Sequence, residues 1–389
     1  MEYLIAILVA PVVLVTGFFV VEIAAGLRRE PPGRGAEPSL IGRAVVVVPA
    51  HDEERIISET LARLAAEIQG VADLLVVADN CIDGTASAAR ERGVEVIERH
   101  DEAHKGKGFA LAFAQQHLTQ NPPAVVVVID ADCAIDKASL LALAAAAEWH
   151  KRPCQAVNLL RPQTGTSAFV AISTFAFMLK NLVRQRGLQR LAGSVHLTGT
   201  GMALPWNLFD HRSLANSSIV EDVKLGLELT KAGKGPMLVP AATVWSDPST
   251  YSGTLAQRKR WEGGYIALAL RTAPKSLGAA LLRADLPAFC RALDLCVPPI
   301  ALLVVMNLLV LGIALGLALA TSGGWGSVLL QSAVLAAAGI AVLIAWWREG
   351  RRFVSLGTLA MIPFYILWKL PLYLGLRLKG QREWLRTGR

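Results

Sequence analysis

No basic run of this sequence is interleaved with aromatics in the pattern of a base-stacking groove, although its formal net charge is +8. A base-stacking groove for nucleic acid needs that interleaving, so nucleic acid is not an expected partner. Its five cysteines (Cys81, Cys133, Cys154, Cys290 and Cys296) show no C-x-x-C spacing and no cluster with histidine. That excludes a zinc site and a disulfide framework, and leaves reduced, packed thiols. The start, Met1-Glu2-Tyr3, lacks the positive charge of a secretory signal, and the basic residues follow the apolar segment instead of preceding it. Charged residues are sparse at 18%, while 53% are apolar and the mean hydropathy is +0.44, too oily for a purely soluble protein.

The cations that are present gather beside apolar runs: Arg28, Arg29, Arg34 and Arg43, then Arg348, Arg351 and Arg352, then Arg377 to Arg389. Such an arrangement follows the positive-inside rule of multi-pass membrane proteins. The sequence predicts an N-terminal transmembrane helix in 1–27, a linker over 28–42, a soluble region over 43–271 and an interfacial helical region over 272–294. Residues 295–376 form a second membrane region and 377–389 a basic cytosolic tail. Leu295–Ala320 and Ser327–Trp347 are each long enough for a hydrocarbon core that needs about 20 residues. The stretch 353–376 carries Pro363, Lys369 and Pro371, which suits a re-entrant or interfacial hairpin better than a span, so three crossings are expected, or four if it does cross. Ser167 to Leu182 reads either as a membrane-surface helix or as a core helix.

Strand and helix signals alternate through the soluble region. AVVVVPA (44–50), LLVVAD (74–79), VEVIE (94–98) and VVVVID (125–130) read as buried strands. Helical patterns at 56–68, 85–92 and 108–117 lie between them. This order predicts a parallel sheet covered on both faces, with ligands beyond the carboxyl ends of its strands. Those ends carry the acidic loops PAHDEE, ADNCIDGT and DADC.

Asp130 and Asp132 form a D-x-D after a valine run. One intervening residue lets both carboxylates turn towards one point, where they suit a hard divalent cation, Mg2+ or Mn2+. A turn acid plus a helix cap would explain them as well. Asp79 closes another buried strand, where a ribose or base edge could be held. Lys105 and Lys107, among glycines before a helix, suit a diphosphate or merely a solvated loop. Glu221 and Asp222 fall in a first helical turn, as a general base or as helix-dipole complements. In LAQRKRWEGG, Gln257, Arg260 and Trp261 sit shortly before the apolar C-terminal region.

Taken in order, PAHDEE, ADNCIDGT, the lysine–glycine turn, DAD, GTGMAL, VED and QRKRW followed by apolar spans resemble the membrane-integrated family 2 glycosyltransferases, the group of the cellulose, hyaluronan and poly-N-acetylglucosamine synthases. The resemblance implies an α/β GT-A fold with a Rossmann-like, parallel or mixed sheet, one N-terminal membrane helix and two or three C-terminal ones. It implies a multi-pass protein of the inner (plasma) membrane with a cytosolic catalytic domain, and inverting transfer from a nucleotide-sugar, usually a UDP-sugar. Ala50, Glu53 and Asp79 would hold the nucleoside end, and Lys107, Asp130 and Arg260 the rest of the donor. Asp132, with Asp130, would bind Mg2+ or Mn2+, and Asp222 would be the catalytic base. Gly199, Thr200, Gly201, Glu221, Gln257 and Trp261 would line the acceptor side.

Val220 stands where the family has the threonine of T-E-D, and Asp247-Pro248 where many relatives carry Glu-Pro. Polymer synthases also surround their channel with more spans than are expected here. A chain with fewer would assemble with copies of itself, rely on an accessory export protein, or make no channel. Extension of an extracellular or capsular polysaccharide is the first functional expectation. Single addition of a sugar to a membrane lipid is the second, and a scaffold with a decayed transferase domain the third.

Overall fold

The structure, a computed structural model, describes residues 2–28, 39–209, 214–215 and 220–375. Most of the expected linker and the basic tail therefore lie outside the described residues. The chain forms two compact units. One contains the strands, within Glu30–Arg161 and Gly193–Gly264; the other contains the N-terminal helix, Pro162–Ala192 and the described residues from Tyr265 onward.

In the first unit the strands are β1 (Ala44–Ala50), β2 (Asp73–Asp79), β3 (Glu95–Arg99), β4 (Val125–Val128), β5 (Cys133–Ile135), β6 (Cys154–Leu160), β7 (Met202–Pro205) and β8 (Met237–Ser246). They form one sheet in the order β3-β2-β1-β4-β7-β6-β8-β5. The β3-β2-β1-β4 part is parallel, as the alternating pattern predicts. Beyond it β7 runs antiparallel to both β4 and β6, and β5 antiparallel to β8, so the sheet is mixed and not wholly parallel.

The valine runs are continuous because both faces of the sheet are covered. Val46, Val48, Val125 and Val127 pack with Ile57, Leu61 and Leu64 of α2 (Glu54–Ile68) and with Leu140 and Leu143 of α5 (Lys137–His150). Their neighbours Val45, Val47, Val126 and Val128 pack on the other face with Leu111 and Ala114 of α4 (Lys107–Leu118) and Leu225 and Leu229 of α9 (Glu221–Lys231). The short helix α3 (Thr85–Arg90) ends two residues earlier than the sequence pattern suggests. Adjacent carboxyl ends of β2, β1 and β4 bring the three acidic loops to one edge of the sheet.

The second unit holds α1 (Glu2–Gly26), α6 (Ala168–Met178), continued by a π-helical segment Leu179–Arg184, and α7 (Gln185–Ala192). It also holds α11 (Leu286–Cys296), α12 (Ile300–Thr321), α13 (Trp325–Ala345), α14 (Leu356–Leu359) and α15 (Ile362–Leu374). The 32-residue helix α10 (Tyr251–Leu282) starts in the first unit and ends in the second, and the one-turn α8 (Trp206–Phe209) follows β7. Among the described residues three helices are long and apolar enough to cross a membrane: Glu2–Gly26, Ile300–Thr321 and Trp325–Gly350. The middle one begins at Ile300, five residues later than the hydropathy alone suggests, because Pro298 and Pro299 interrupt the helix that ends at Cys296. Helix α15 has 13 residues, about 20 Å at 1.5 Å per residue, too short to cross alone.

Ile5, Val9 and Val12 of α1 interlock with Val310, Ala314 and Ala318 of α12 and Val328 of α13. A polar link joins the same helices: Gln331 Nε2 donates to Asn307 Oδ1 at 2.7 Å, and Asn307 Nδ2 donates to Thr16 Oγ1 at 2.9 Å. The C-terminal half of α1 is crossed closely by the π-helical segment and α7. A Cβ on Gly187 would fall 2.0 Å from the Glu22 carbonyl oxygen, and one on Gly26 would fall 1.9 Å from that of Val183. Of the two readings of Ser167 to Leu182, the structure favours the core helix, since Val170, Ile172, Phe175, Phe177, Met178 and Leu182 are buried.

Candidate active site

At the end of β2 the Asp79 carboxylate is fully buried. Its Oδ1 accepts from Arg99 Nη1 at 2.6 Å and from Asn80 Nδ2 at 3.2 Å, while Oδ2 is buried with no protein partner. Burial pushes this carboxyl above its ordinary value, and the Arg99 guanidinium offsets part of that rise. Arg99 is held in turn by Asp101, at 2.9 Å, and lies over the Phe109 ring. His51 Nδ1 stands 2.7 Å from the Asp79 carbonyl oxygen, which ties the loop after β1 to the loop after β2. Ala50 is buried opposite Ala78 in the β1–β2 register, and the Glu53 N–H donates to Thr85 Oγ1 at 2.8 Å. Thr85 N–H donates to Asp83 Oδ1 at 3.0 Å, so Asp83 serves the start of α3.

The D-x-D lies just past the end of β4. Asp130, Asp132 and Cys133 offer ligand atoms within 4.8 Å of one another, a donor set that fits a hard divalent cation through its two carboxylates. Burial holds the Cys133 thiol well above its ordinary value, and Sγ donates to Asp132 Oδ1 at 3.2 Å. As a thiol it orients Asp132 and is a poor ligand. A second group, Asp52, Cys81 and Asp83, meets the same distance criterion. There Asp52 Oδ1 accepts from the Ile82 N–H at 2.8 Å, and Asp83 is engaged as described.

Lys107, the first residue of α4, points its ammonium into the D-x-D. Nζ donates to Asp130 Oδ1 and, at 2.7 Å, to the Gly199 carbonyl oxygen. Burial alone would lower the Lys107 pKa; Asp130 and Glu221 outweigh it and raise the value. The Gly199–Gly201 loop reaches this point because two glycines adopt positive φ, 82° and 64°. A Cβ on Gly199 would stand 3.3 Å from Asp222 Oδ2 and 3.6 Å from Lys107 Nζ, so the loop, the lysine and the helix acid converge. Gln155 on β6 holds the loop in place. Its Nε2 donates to the Thr200 carbonyl at 2.9 Å, and its Oε1 accepts from the Thr198 N–H at 2.9 Å. The Asp130 N–H donates to Thr200 Oγ1 at 3.1 Å.

Glu221 and Asp222 open α9 beside this cluster. Burial and the adjacent Asp222 push the Glu221 carboxyl up to about 8, with Lys107 pulling the other way. Glu221 therefore holds its proton more firmly than an ordinary carboxyl does. Because the folded value is raised, the associated stability is complete below the ordinary value of 4.5 and is lost as pH rises to about 8. Glu221→Gln is expected to remove that slope. Thermal melts of the two proteins between pH 5 and pH 9 should diverge, with the wild type alone falling, and parallel curves would refute the assignment.

On α10, burial lowers the Arg260 pKa, and the charge of Glu221 offsets part of the fall, which places the guanidinium within the field of the acid pair. Gln257 is buried and its Oε1 accepts from Ser249 Oγ at 3.3 Å. Trp261 carries the Arg258 guanidinium over its ring. The structure thus gathers Lys107, Asp130, Gly199, Thr200, Glu221 and Asp222 tightly, and sets Asp79, Ala50 and Glu53 along the same sheet edge. Sequence reading missed Arg99 and Gln155, which adjoin no motif, and took Cys133, beside the D-x-D, for a packed thiol and not a ligand.

Residues 42–264 match the family model described as glycosyltransferase like family 2. The chain is 25% identical over 239 residues to the probable glycosyltransferase YdaM of Bacillus subtilis, covering 57% of this chain and 56% of that one. It is 37% identical over 87 residues to the uncharacterized protein MJ1222 of Methanocaldococcus jannaschii, covering 22% and 34%. These matches span about half, or less, of the length of the curated relatives. The fold is similar to that of the mannosyltransferase PcManGT from Pyrobaculum calidifontis, solved in complex with GDP-Man and Mn2+, with a TM-score of 0.51 at 16% identity over 95% of this chain and 100% of that one. That likeness bears on the fold, which is a GT-A-like mixed sheet accompanied by three apolar helices that could span a membrane. By its family match over more than half of its length, the chain belongs to the family 2 glycosyltransferases.

Proposed function

We propose that the protein is an inverting glycosyltransferase of the inner membrane that moves one sugar from a nucleoside-diphosphate donor to the hydroxyl of a membrane lipid, with its catalytic unit on the cytosolic side. The observation that carries the reading is the convergence of Lys107, Asp130, Gly199 and Asp222 at the carboxyl edge of the sheet. In this reading Asp222 takes the proton of the acceptor hydroxyl as its oxygen attacks the anomeric carbon. The bond from that carbon to the diphosphate breaks, and the nucleoside diphosphate leaves with the electron pair on the face opposite the attack. Mg2+ or Mn2+ bound at Asp130 and Asp132 would supply positive charge for the departing diphosphate. Lys107 and Arg260 supply further positive charge, the latter as a planar fork suited to phosphate oxygens.

The buried Asp79 Oδ2 offers one acceptor to the nucleoside, and the Arg99 guanidinium beside it offers donors. Uracil presents one N–H and neighbouring carbonyl oxygens, so this edge supports a UDP-sugar. Gln257 and Trp261, with Gly201 and Thr200, supply the acceptor side. The side chains between α1, α12 and α13 fill the space among those helices, and this favours a lipid acceptor over a glycan threaded through the bundle. The Q-x-x-R-W sequence of Gln257, Arg260 and Trp261 favours a second reading, polysaccharide extension, which would need further copies of the chain or an export partner.

Membranes containing the protein, given labelled UDP-glucose, UDP-N-acetylglucosamine or UDP-galactose with Mn2+ or Mg2+, are expected to yield one discrete labelled species that partitions into organic solvent. A high-molecular-weight aqueous product would establish polymer extension instead. Absence of transfer from these donors and from GDP-mannose alike would overturn the enzymatic reading.

A further inference from the structure

The Lys107 ammonium is bonded to one of the two carboxylates that make the D-x-D. The lysine side of the contact is enclosed, with 13% of its side chain exposed against 37% for Asp130, and the second hydrogen bond to the Gly199 carbonyl aims Nζ at Asp130. A cation bound there would meet a like charge already resting on the same carboxylate. The arrangement is unfavourable for an ion arriving alone, because the two like charges would repel at close range on one carboxylate. The balance reverses when a diphosphate is present, because its negative charges attract both the ion and the ammonium. A lysine on a four-carbon stem, anchored at the first residue of a helix behind Gly106 (φ 135°), can move its charge from one anion to the other without moving the backbone.

We propose that Lys107 is a positioning counter-ion: it competes with the divalent cation for Asp130 and releases that carboxylate when the donor's diphosphate arrives, so that metal and donor bind cooperatively. This rests on the donor reading given above, and it adds an order to it: Asp130 is shielded from metal until there is donor to share the charge. The coupling is reciprocal, so metal must tighten donor binding by the factor by which donor tightens metal.

The test is a titration of the detergent-solubilised full chain with Mn2+, followed by the electron paramagnetic resonance signal of the free ion, with and without UDP. In the wild type, UDP is expected to tighten Mn2+ binding by roughly five-fold or more, within the usual range of such couplings. In Lys107→Met, Mn2+ alone is expected to bind on the order of ten-fold more tightly than to the wild type, and UDP to tighten it by less than it does in the wild type, because only the direct attraction between ion and diphosphate remains. Lys107→Arg keeps the charge and should keep the wild-type pattern. If Lys107→Met does not fold, Lys107→Gln carries the same expectation, since it sheds the charge yet retains a donor for the Gly199 carbonyl. Unchanged or weaker Mn2+ binding in the neutral variants, with wild-type coupling to UDP intact, would overturn the proposal and leave the donor reading standing. A wild type that binds neither Mn2+ nor UDP would overturn both.

Discussion

Asp222→Asn is expected to abolish sugar transfer while nucleotide binding stays close to wild type. The substitution keeps the size and shape of the side chain. It also keeps the oxygen that accepts from the Val223 N–H at 2.7 Å, so the first turn of α9 has no reason to shift. What it removes is the charge and the basicity. A positioned general base contributes about 10²–10⁴-fold to rate, and an amide cannot accept the acceptor's proton. Glu221 is a poor substitute, because burial and the adjacent Asp222 raise its pKa and favour its protonated form. The measurement pairs turnover with UDP affinity by calorimetry in the same detergent. Loss of turnover with retained affinity fits the role. An Asp222→Asn enzyme that keeps a substantial share of wild-type turnover would remove Asp222 as the base. The matching control is Asp132→Asn, which should lose the metal dependence of UDP binding, a pattern distinct from that of Asp222→Asn.

Half of the sheet was legible because its strands are locally unambiguous. The runs at 44–50 and 125–128 are apolar on both faces, and only a strand buried between two layers requires that. The acidic loops were legible for the same reason, since each follows such a run. Strands β6, β7 and β8 were not. β6 reads CQAVNLL, and its buried Gln155 and Asn158 look like interruptions until the Thr198–Gly201 loop is seen to need their amides. β8 carries Pro240 at a register shift in its pairing with β6, which masks its alternation. Antiparallel pairing of β7 with β4 joins residues far apart in sequence, and no local pattern records such a partner. Arg99 escaped notice likewise: it is twenty positions from Asp79 and meets it only because β2 and β3 are neighbours. In the sequence Glu22 is the one acid within the apolar stretch 3–26, yet nothing there identifies its partner.

That partner is Arg184, and the second large effect is expected from removing it. Arg184 forks between two acids: Nε to Glu22 Oε2 at 2.5 Å and Nη2 to Asp294 Oδ1 at 2.5 Å. All three side chains are at most 8% exposed. The guanidinium lies over the Phe19 ring, and the Tyr265 hydroxyl donates to the Asp294 carbonyl at 3.1 Å. The triad thereby joins α1, the π-helical segment and α11. Arg184→Ala leaves two carboxylates buried together with no cation between them, which costs about 3–5 kcal/mol. In a protein of this size that corresponds to a fall in Tm of about 5 °C. Arg184→Lys should recover only part, because a point charge cannot serve two acids with the geometry of a planar fork. The triad need not be a net source of stability, since desolvating three charges offsets much of their attraction. The combined variant Glu22→Gln, Arg184→Met, Asp294→Asn should therefore be more stable than Arg184→Ala alone. Melts of the detergent-solubilised proteins decide the matter. A triple variant no better than the single one would mean that the arginine acts through its packing on Phe19, and not by neutralising the two acids.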